Sequence, residues 1–251
     1  SGEGNDVVDG EEGADTIIGN PGHDVFKGGA GDDILDYSAV TEDITLDLTV
    51  VAAGLSPVIF SGGDQDEISG FETITSGEGN DTLTGDAGDN IFYGGLGDDV
   101  LDGGGGGDDT LDGGEGTDSI SFQSGAAGLV MDLNNDLVGN VIDVGTGEKT
   151  IIDIENITAT DFDDTITTSG EDNTLSGADG DDTFIDDGGN DTIDGGFSGT
   201  DNSTDDLVDY SGSANSINVD MAVLDGEGFA SLTVGADTYL IKSIEHITAT
   251  D

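Results

Sequence analysis

The feature that most constrains this chain is a repeat of nine residues. Ser1 to Asp9 reads SGEGNDVVD and is followed in phase by GEEGADTII (10–18), GNPGHDVFK (19–27) and GGAGDDILD (28–36). The period resumes at Ser76 with SGEGNDTLT, GDAGDNIFY, GGLGDDVLD, a ten-residue variant GGGGGDDTLD, and GGEGTDSIS ending at Ser121. A third block is rougher: ATDFDDTIT from Ala159, then TSGEDNTLS, GADGDDTFI, DDGGNDTID and a stretched copy from Gly195 to Asp209. Copies in phase imply one small unit used many times, stacked so that neighbours bury what a single unit cannot.

Each position of the repeat has a physical reading. Glycine permits positive φ and close backbone approach, as a tight turn around a ligand requires. The last three residues, such as Val7-Val8-Asp9 or Thr82-Leu83-Thr84, fit a short strand whose middle side chain faces inward and whose neighbours face out. The inward set is then Val8, Ile17, Phe26, Leu35, Leu83, Phe92, Leu101, Leu111 and Ile120. Glycine, Asp, Thr and β-branched residues dominate throughout, which disfavours helix.

The acids decide whether such a chain can fold. Lys and Arg total 3 against 57 Asp and Glu, for a net charge of -54. Taken alone, that balance describes an acidic disordered segment. Taken with the repeat, it describes ligands placed to receive cations. Stacked turns bring carboxylates to about 5 Å, a repulsion of roughly 3 kcal/mol at an effective dielectric near 20; a divalent ion between turns reverses its sign. The donors on offer are carboxylate and carbonyl oxygens, which suit a hard cation. Calcium takes 6–8 oxygens in flexible geometry, whereas magnesium demands a tight octahedron. The same acidity argues against nucleic acid and anionic membrane surfaces, both of which need basic patches. No apolar run approaches membrane-spanning length. The absence of Cys excludes disulfides and thiolate metal sites. The chain begins inside one repeat and stops inside another, as expected of a piece of a longer polypeptide.

The repeated pattern GGxGxDxUx, with U a large apolar residue, resembles the RTX (repeats-in-toxin) family, the haemolysin-type calcium-binding nonapeptide repeat, along the whole chain. The resemblance implies an all-β fold: a right-handed parallel β-roll or β-solenoid with calcium between stacked turns, interrupted here by longer irregular β inserts. It implies that successive nonapeptides form opposite sides of a flattened coil, with multiple calcium ions held between turn n and turn n+2. Carried over residue by residue, the metal ligands expected at the sixth position are Asp6, Asp15, Asp24 and Asp33 in the first block. In the second they are Asp81, Asn90, Asp99, Asp109 and Asp118, and in the third Asp164, Asp182 and Asp191. Asn173, like Asn90, replaces Asp; an amide oxygen still ligates but brings no charge. The expected pairs are Asp6 with Asp24, Asp15 with Asp33, Asp81 with Asp99, and Asp164 with Asp182. Fifth-position residues (Asn5, Asp32, Asn80, Asp89, Asp98, Asp181, Asn190) read as solvated or turn-stabilising groups instead. The third block departs from the pattern, with Phe162 and Glu171 at glycine positions and an insertion after Gly195.

A longer period overlies the short one. Each segment between blocks opens with an aromatic residue (Tyr37, Phe122, Tyr210) and closes with apolar residues at every third position: Ile68, Phe71, Ile74; Ile151, Ile154, Ile157; Ile241, Ile244, Ile247. A Glu follows the middle one each time (Glu72, Glu155, Glu245), a candidate for further ions at the junctions or for a turn role. Ile44, Leu46 and Leu48 alternate with Thr45 and Asp47, which is strand periodicity. The inserts should therefore continue the solenoid as wider coils or fold a hairpin against it. Block plus insert gives three modules, 1–75, 76–158 and 159–251, expected to form one continuous solenoid.

Catalysis finds no support in this pattern. The paired acids recur with the repeat and none is distinguished, and His23 and His246 occupy variable positions. The expected function is a calcium-binding structural region of a large secreted or cell-surface protein, with self-association or a cell-surface or matrix partner. Such a region is unfolded in low calcium and rigid outside the cell. Type I secretion to the exterior of a Gram-negative bacterium is what the resemblance implies. The rival is a calcium-dependent secretion or folding module of an enzyme or toxin such as a lipase, protease, epimerase or haemolysin. A glycan- or ice-binding face fits less well, because the outward residues (Val7, Thr16, Val25, Ile34, Thr82, Ile91) form no regular Thr ladder.

Overall fold

A computed structural model describes residues 4–50, 54–123, 125–133, 140–143, 147–196, 206–211, 217–224, 230–234, 237–244 and 246–249. Among them there is no α-helix, and parallel strands of mostly three residues dominate. The fold is an all-β parallel β-roll. The chain divides into two compact units, Ser1–Ile120 with Gly147–Ile154, and Ser121–Thr146 with Glu155–Asp251.

In the first unit consecutive nonapeptides alternate between two sheets. Val7–Asp9 and Val25–Lys27 pair in one, Thr16–Ile18 and Ile34–Asp36 in the other. The parallel register joins residue i to residue i+18, so Val8 stacks on Phe26 and Ile17 on Leu35. The nonapeptide fits this geometry because a turn of about six residues and a strand of three give one inward side chain per side. Phe26, Leu35, Leu83, Phe92, Leu101, Leu111 and Ile120 are all essentially buried, and Ile17 nearly so. Val8, paired on one side only, is half-buried. Burying such side chains is the main apolar stabilisation available to the coil.

The first insert adds a three-stranded antiparallel meander to one sheet only. Ile44–Asp47, Ser56–Phe60 and Gln65–Ser69 run antiparallel to one another. Their outer members pair in parallel with Thr82–Thr84 and Val25–Lys27. The other sheet passes directly from Ile34–Asp36 to Thr73–Thr75 and on to Ile91–Leu96, Asp109–Glu115 and Glu148–Ile152. The three-residue spacing of Ile68, Phe71 and Ile74 marks the crossing. Ile68 stacks on Phe26 in one sheet, Ile74 stacks between Leu35 and Phe92 in the other, and all three are buried. Tyr37 and Phe60 close this region edge-to-face at 5.5 Å.

The second unit repeats the scheme. Asn156–Thr158, Thr174–Ser176 and Thr192–Asp194 pair in parallel in one sheet. Val130–Asp132, Thr165–Thr167, Thr183–Ile185, Leu207–Tyr210 and His246–Ala249 pair in the other. A second meander, Ile217–Leu224, Ala230–Val234 and Asp237–Lys242, joins the first sheet through Thr192–Asp194. The first and third inserts thus fold antiparallel strands against the parallel coil.

Candidate metal sites

The register that stacks the apolar residues also stacks the acids. Within a block, one oxygen of a sixth-position carboxylate accepts the backbone N–H of the sixth-position residue one turn earlier, whereas Asp81 and Asp164, at block starts, accept Ile44 and Leu129 N–H instead. Asp6 N–H donates to Asp24 Oδ1 and Asp15 N–H to Asp33 Oδ1, both at 2.8 Å. Asp81 donates to Asp99 at 2.7 Å, Asp99 to Asp118 at 2.8 Å and Asn90 to Asp109 at 2.8 Å. In the second unit Asp164 donates to Asp182 at 2.9 Å and Asn173 to Asp191 at 3.0 Å. The sequence-predicted pairs are therefore adjacent, and the departures in the third block leave its stack intact. Phe162 lies at the surface, 46% exposed.

The second carboxylate oxygen separates these residues into two kinds. In Asp15, Asp24, Asp33, Asp99, Asp182 and Asp191 it is buried with no hydrogen-bond donor. A buried, unsatisfied carboxylate oxygen is costly unless something cationic meets it. At Asp15, Asp33, Asp99 and Asp182 that oxygen faces the first glycine of its own turn (Gly10, Gly28, Gly94, Gly177) and the carbonyl of the first residue type one turn on. A Cβ on Gly10 would lie 2.7 Å from Asp15 Oδ2 and closer still to the Gly28 carbonyl. The first glycine is thus required by a cradle of oxygens that a methyl group would fill. Where that residue is Ser76, Ala159 or Thr168, the turn closes on itself. Asp81 Oδ2 then accepts Gly77 N–H at 3.1 Å, Asp164 Oδ2 accepts Thr160 N–H at 2.9 Å, and Asn173 Oδ1 accepts Ser169 N–H at 2.9 Å.

Burial and crowding of like charges show in the titration behaviour. Burial pushes the Asp99 carboxyl up to about 7, with Asp81, Asp118 and Asp98 adding to the rise. Asp182 is pushed up to about 8 by burial and then by Asp164, Asp206 and Asp163. Asp191 is pushed up to about 7 by burial, with Asp186 and Asp172 adding. These are carboxylates held where their charge is disfavoured. Among the described residues no three acidic or imidazole side chains converge on one point. A cation here must therefore draw on backbone carbonyls as well as carboxylates. Oxygen-only donors of that mixed kind fit calcium.

Fifth-position side chains act differently. Asn80 Oδ1 accepts Asp98 N–H, Asp89 accepts Asp108 N–H, and Asp98 accepts Thr117 N–H, at 2.9–3.1 Å and at the exposed rim. They tie one turn to the next from outside the cradle.

Three residues of the stack lie outside the nonapeptides. Asp66, from the first meander, accepts Asp24 N–H at 2.9 Å, and its other oxygen accepts the Tyr37 hydroxyl at 2.8 Å, both residues being buried. Glu72 accepts Asp33 N–H at 2.8 Å, the role of a sixth-position Asp. Asp206, in the stretched copy, accepts Asp182 N–H at 2.9 Å. Sequence periodicity flagged Glu72 but not Asp66 or Asp206. The available signal was the apolar residue two positions on (Ile68, Ile74, Val208), which fixes the turn position without any glycine. Glu245 lies outside the described residues. His23 sits at the surface, its Nδ1 3.2 Å from the Gln65 carbonyl, and His246 is exposed.

The RTX calcium-binding nonapeptide repeat (4 copies) model matches residues 1–35, 68–101, 104–126, 153–184 and 167–198, together more than half of the chain. No curated protein matches it. The matched ranges contain the sixth-position residues of the regular repeats and Glu72, but not Asp66 or Asp206, and leave out most of both meanders.

Proposed function

Since the chain belongs to the RTX calcium-binding nonapeptide repeat family and binds calcium through multiple repeats, we propose that it is a calcium-folded structural segment of a larger secreted or cell-surface protein. The reading rests on the buried, donor-free carboxylate oxygens of Asp15, Asp33, Asp99 and Asp182, each beside a carbonyl of the next turn. In this reading those four are the principal ligands. Asp6, Asp24, Asp118 and Asp191 extend the columns, and Asp81 and Asp164 stand at block starts with both oxygens engaged. Asn90, Asn173 and Asp109 bring little or no free charge. Bound calcium supplies the positive charge that a net charge of -54 lacks. The chain's own part is to aim carboxylate and carbonyl oxygens at one point and to bury one apolar side chain per turn behind them.

Without the ion, stacking these acids is repulsive and the apolar core is thin, so the segment remains unfolded in calcium-poor cytosol. Extracellular modules bind calcium at roughly 10⁻⁴–10⁻³ M, so the millimolar ion outside a cell folds it. Blocks and inserts used in tandem lengthen a rod, which favours a structural role over a catalytic one. Among the described residues no helix is long and apolar enough to cross a membrane. Far-ultraviolet circular dichroism during a calcium titration tests the proposal. A disordered spectrum in chelator should convert to a β spectrum as calcium approaches millimolar, and a full β spectrum in excess chelator would sink it.

A further inference from the structure

The described part of the first unit holds one buried cation of its own. The Lys149 ammonium lies 2.6 Å from Asp109 Oδ2, 3.0 Å from the Gly107 carbonyl and 3.1 Å from the Gly106 carbonyl. Lys149 and Asp109 side chains are 3% and 0% exposed. Lys149 is the register partner of Asp109. It therefore stands where the next turn would carry its own sixth-position acid.

The ammonium meets one carboxylate oxygen and two backbone carbonyls, the oxygen types from which a calcium cradle would be built. Gly106, Gly107 and Asp109 hold the third, fourth and sixth positions of their turn, counted back from Asp109. Asp109 Oδ2 faces the first glycine of that turn, Gly103, just as Asp99 Oδ2 faces Gly94. In Asp99 this oxygen has no donor; in Asp109 it has Lys149. The ten-residue length of the Gly103–Asp112 repeat, with five consecutive glycines, lets two carbonyls turn toward the same atom. The charges agree. Asn90 is neutral, Asp109 negative and Lys149 positive, so this stretch of stack is balanced without an added ion.

We propose that Lys149 is a built-in calcium substitute: in the folded chain its ammonium occupies the cation position of the Asp109 turn, excludes a metal ion there, and neutralises that turn without one. The inference rests on the calcium reading above, and the test separates the two. Bound calcium is counted by native mass spectrometry on the chain and on K149D, which replaces the ammonium with a second carboxylate facing Asp109. The variant should carry one calcium ion more than the parent in millimolar calcium. In limiting calcium it should require several-fold more of the ion to reach its folded circular dichroism signal. An unchanged ion count in a folded variant overturns the inference, and so does failure of K149D to fold in saturating calcium, since the ion should then satisfy the new carboxylate. A parent chain that binds no calcium overturns the calcium reading instead.

A second readout needs no variant. The chain has three lysines, Lys27, Lys149 and Lys242, and no Arg. Acylation of the calcium-loaded protein with an amine-reactive ester should modify exposed Lys27 and spare Lys149 by at least tenfold. Equal modification of the two would show that the ammonium is not held in the cradle.

Discussion

On one side of the second nonapeptide block, Asp81, Asp99 and Asp118 stack in register; on the other, the same register holds Asn90, Asp109 and Lys149. Backbone pairing and inward apolar residues are alike on both sides. The difference is electrostatic. The first column carries three acids, and burial and neighbouring charge hold its central carboxyl near 7. The second has dropped one acid for an amide and gained an ammonium. A β-roll of this kind needs cations inside its turns, but the cation can be an imported ion or a side chain of the roll itself. Tyr37 offers a third, uncharged solution at Asp66, donating a hydroxyl hydrogen to the oxygen that elsewhere has no donor.

The comparison is broken most severely by unbalancing the lysine side. Asp109→Asn leaves the Lys149 ammonium buried with carbonyl partners alone. It should cost about 3–5 kcal/mol in urea unfolding at saturating calcium, without changing the number of ions bound. Asp99→Ala acts on the other side and through the ion. The calcium midpoint of folding should rise about tenfold, ~1.4 kcal/mol. Asp89→Ala, at the exposed rim, should shift it by about twofold or less, on the scale of ordinary surface substitutions. Equal shifts for the two would remove the distinction between the fifth and sixth positions.

Acidity should sharpen the contrast. In the ion-free fold Asp99 and Asp182 titrate near 7 and 8, well above the ordinary carboxylate value of about 3.9. Between these values the folded form holds more protons than the unfolded one. Ion-free stability is therefore greatest at low pH and is lost as pH rises through 7–8. In chelator, residual β structure should increase from pH 8 to pH 5. In calcium the sign reverses, because protons compete for the same oxygens, and the calcium midpoint should rise over that interval. A midpoint independent of pH would contradict the buried-carboxylate cradle.

A further small effect concerns the turn backbone. The second residue of the turn takes positive φ, as at Gly95 (+105°) and Gly114 (+96°), yet in the third block it is Ala178, at +70°. Left-handed geometry costs a non-glycine residue roughly 1–2 kcal/mol, partly offset by the greater freedom glycine loses on folding. Ala178→Gly should stabilise the calcium-loaded protein by about 0.5–1 kcal/mol in urea unfolding.

Much of this was legible from the period alone. Nine residues with one apolar position and one acid dictate a turn and a short strand; the alternation between two sides, with acids paired 18 apart, was what the family resemblance implied. The inward set was readable from the period, apart from the half-buried Val8. Residues outside the period were not. Asp66 reaches the stack only because the meander brings Gln65–Ser69 back beside Val25–Lys27, a long-range pairing with no local signature. Lys149 reads as an ordinary residue of an insert, and its role appears only when Glu148–Ile152 takes its register against Asp109–Glu115. The residue heading the turn is only part of the signal: Gly10, Gly28, Gly94 and Gly177 head open cradles and Ser76, Ala159 and Thr168 closed turns, but Asp191 keeps a donor-free oxygen under Asp186 and the Asn90 turn closes under Gly85.

Residue-resolved hydrogen exchange at the backbone N–H groups of Asp81 and Asp99 tests the central claim most directly, because each donates to the carboxylate of the next turn inside a candidate cradle. In millimolar calcium both amides should exchange at least a hundredfold more slowly than in excess chelator, where they should exchange as in an unfolded chain. Equal protection in chelator and in calcium would contradict a fold that depends on ions between its turns.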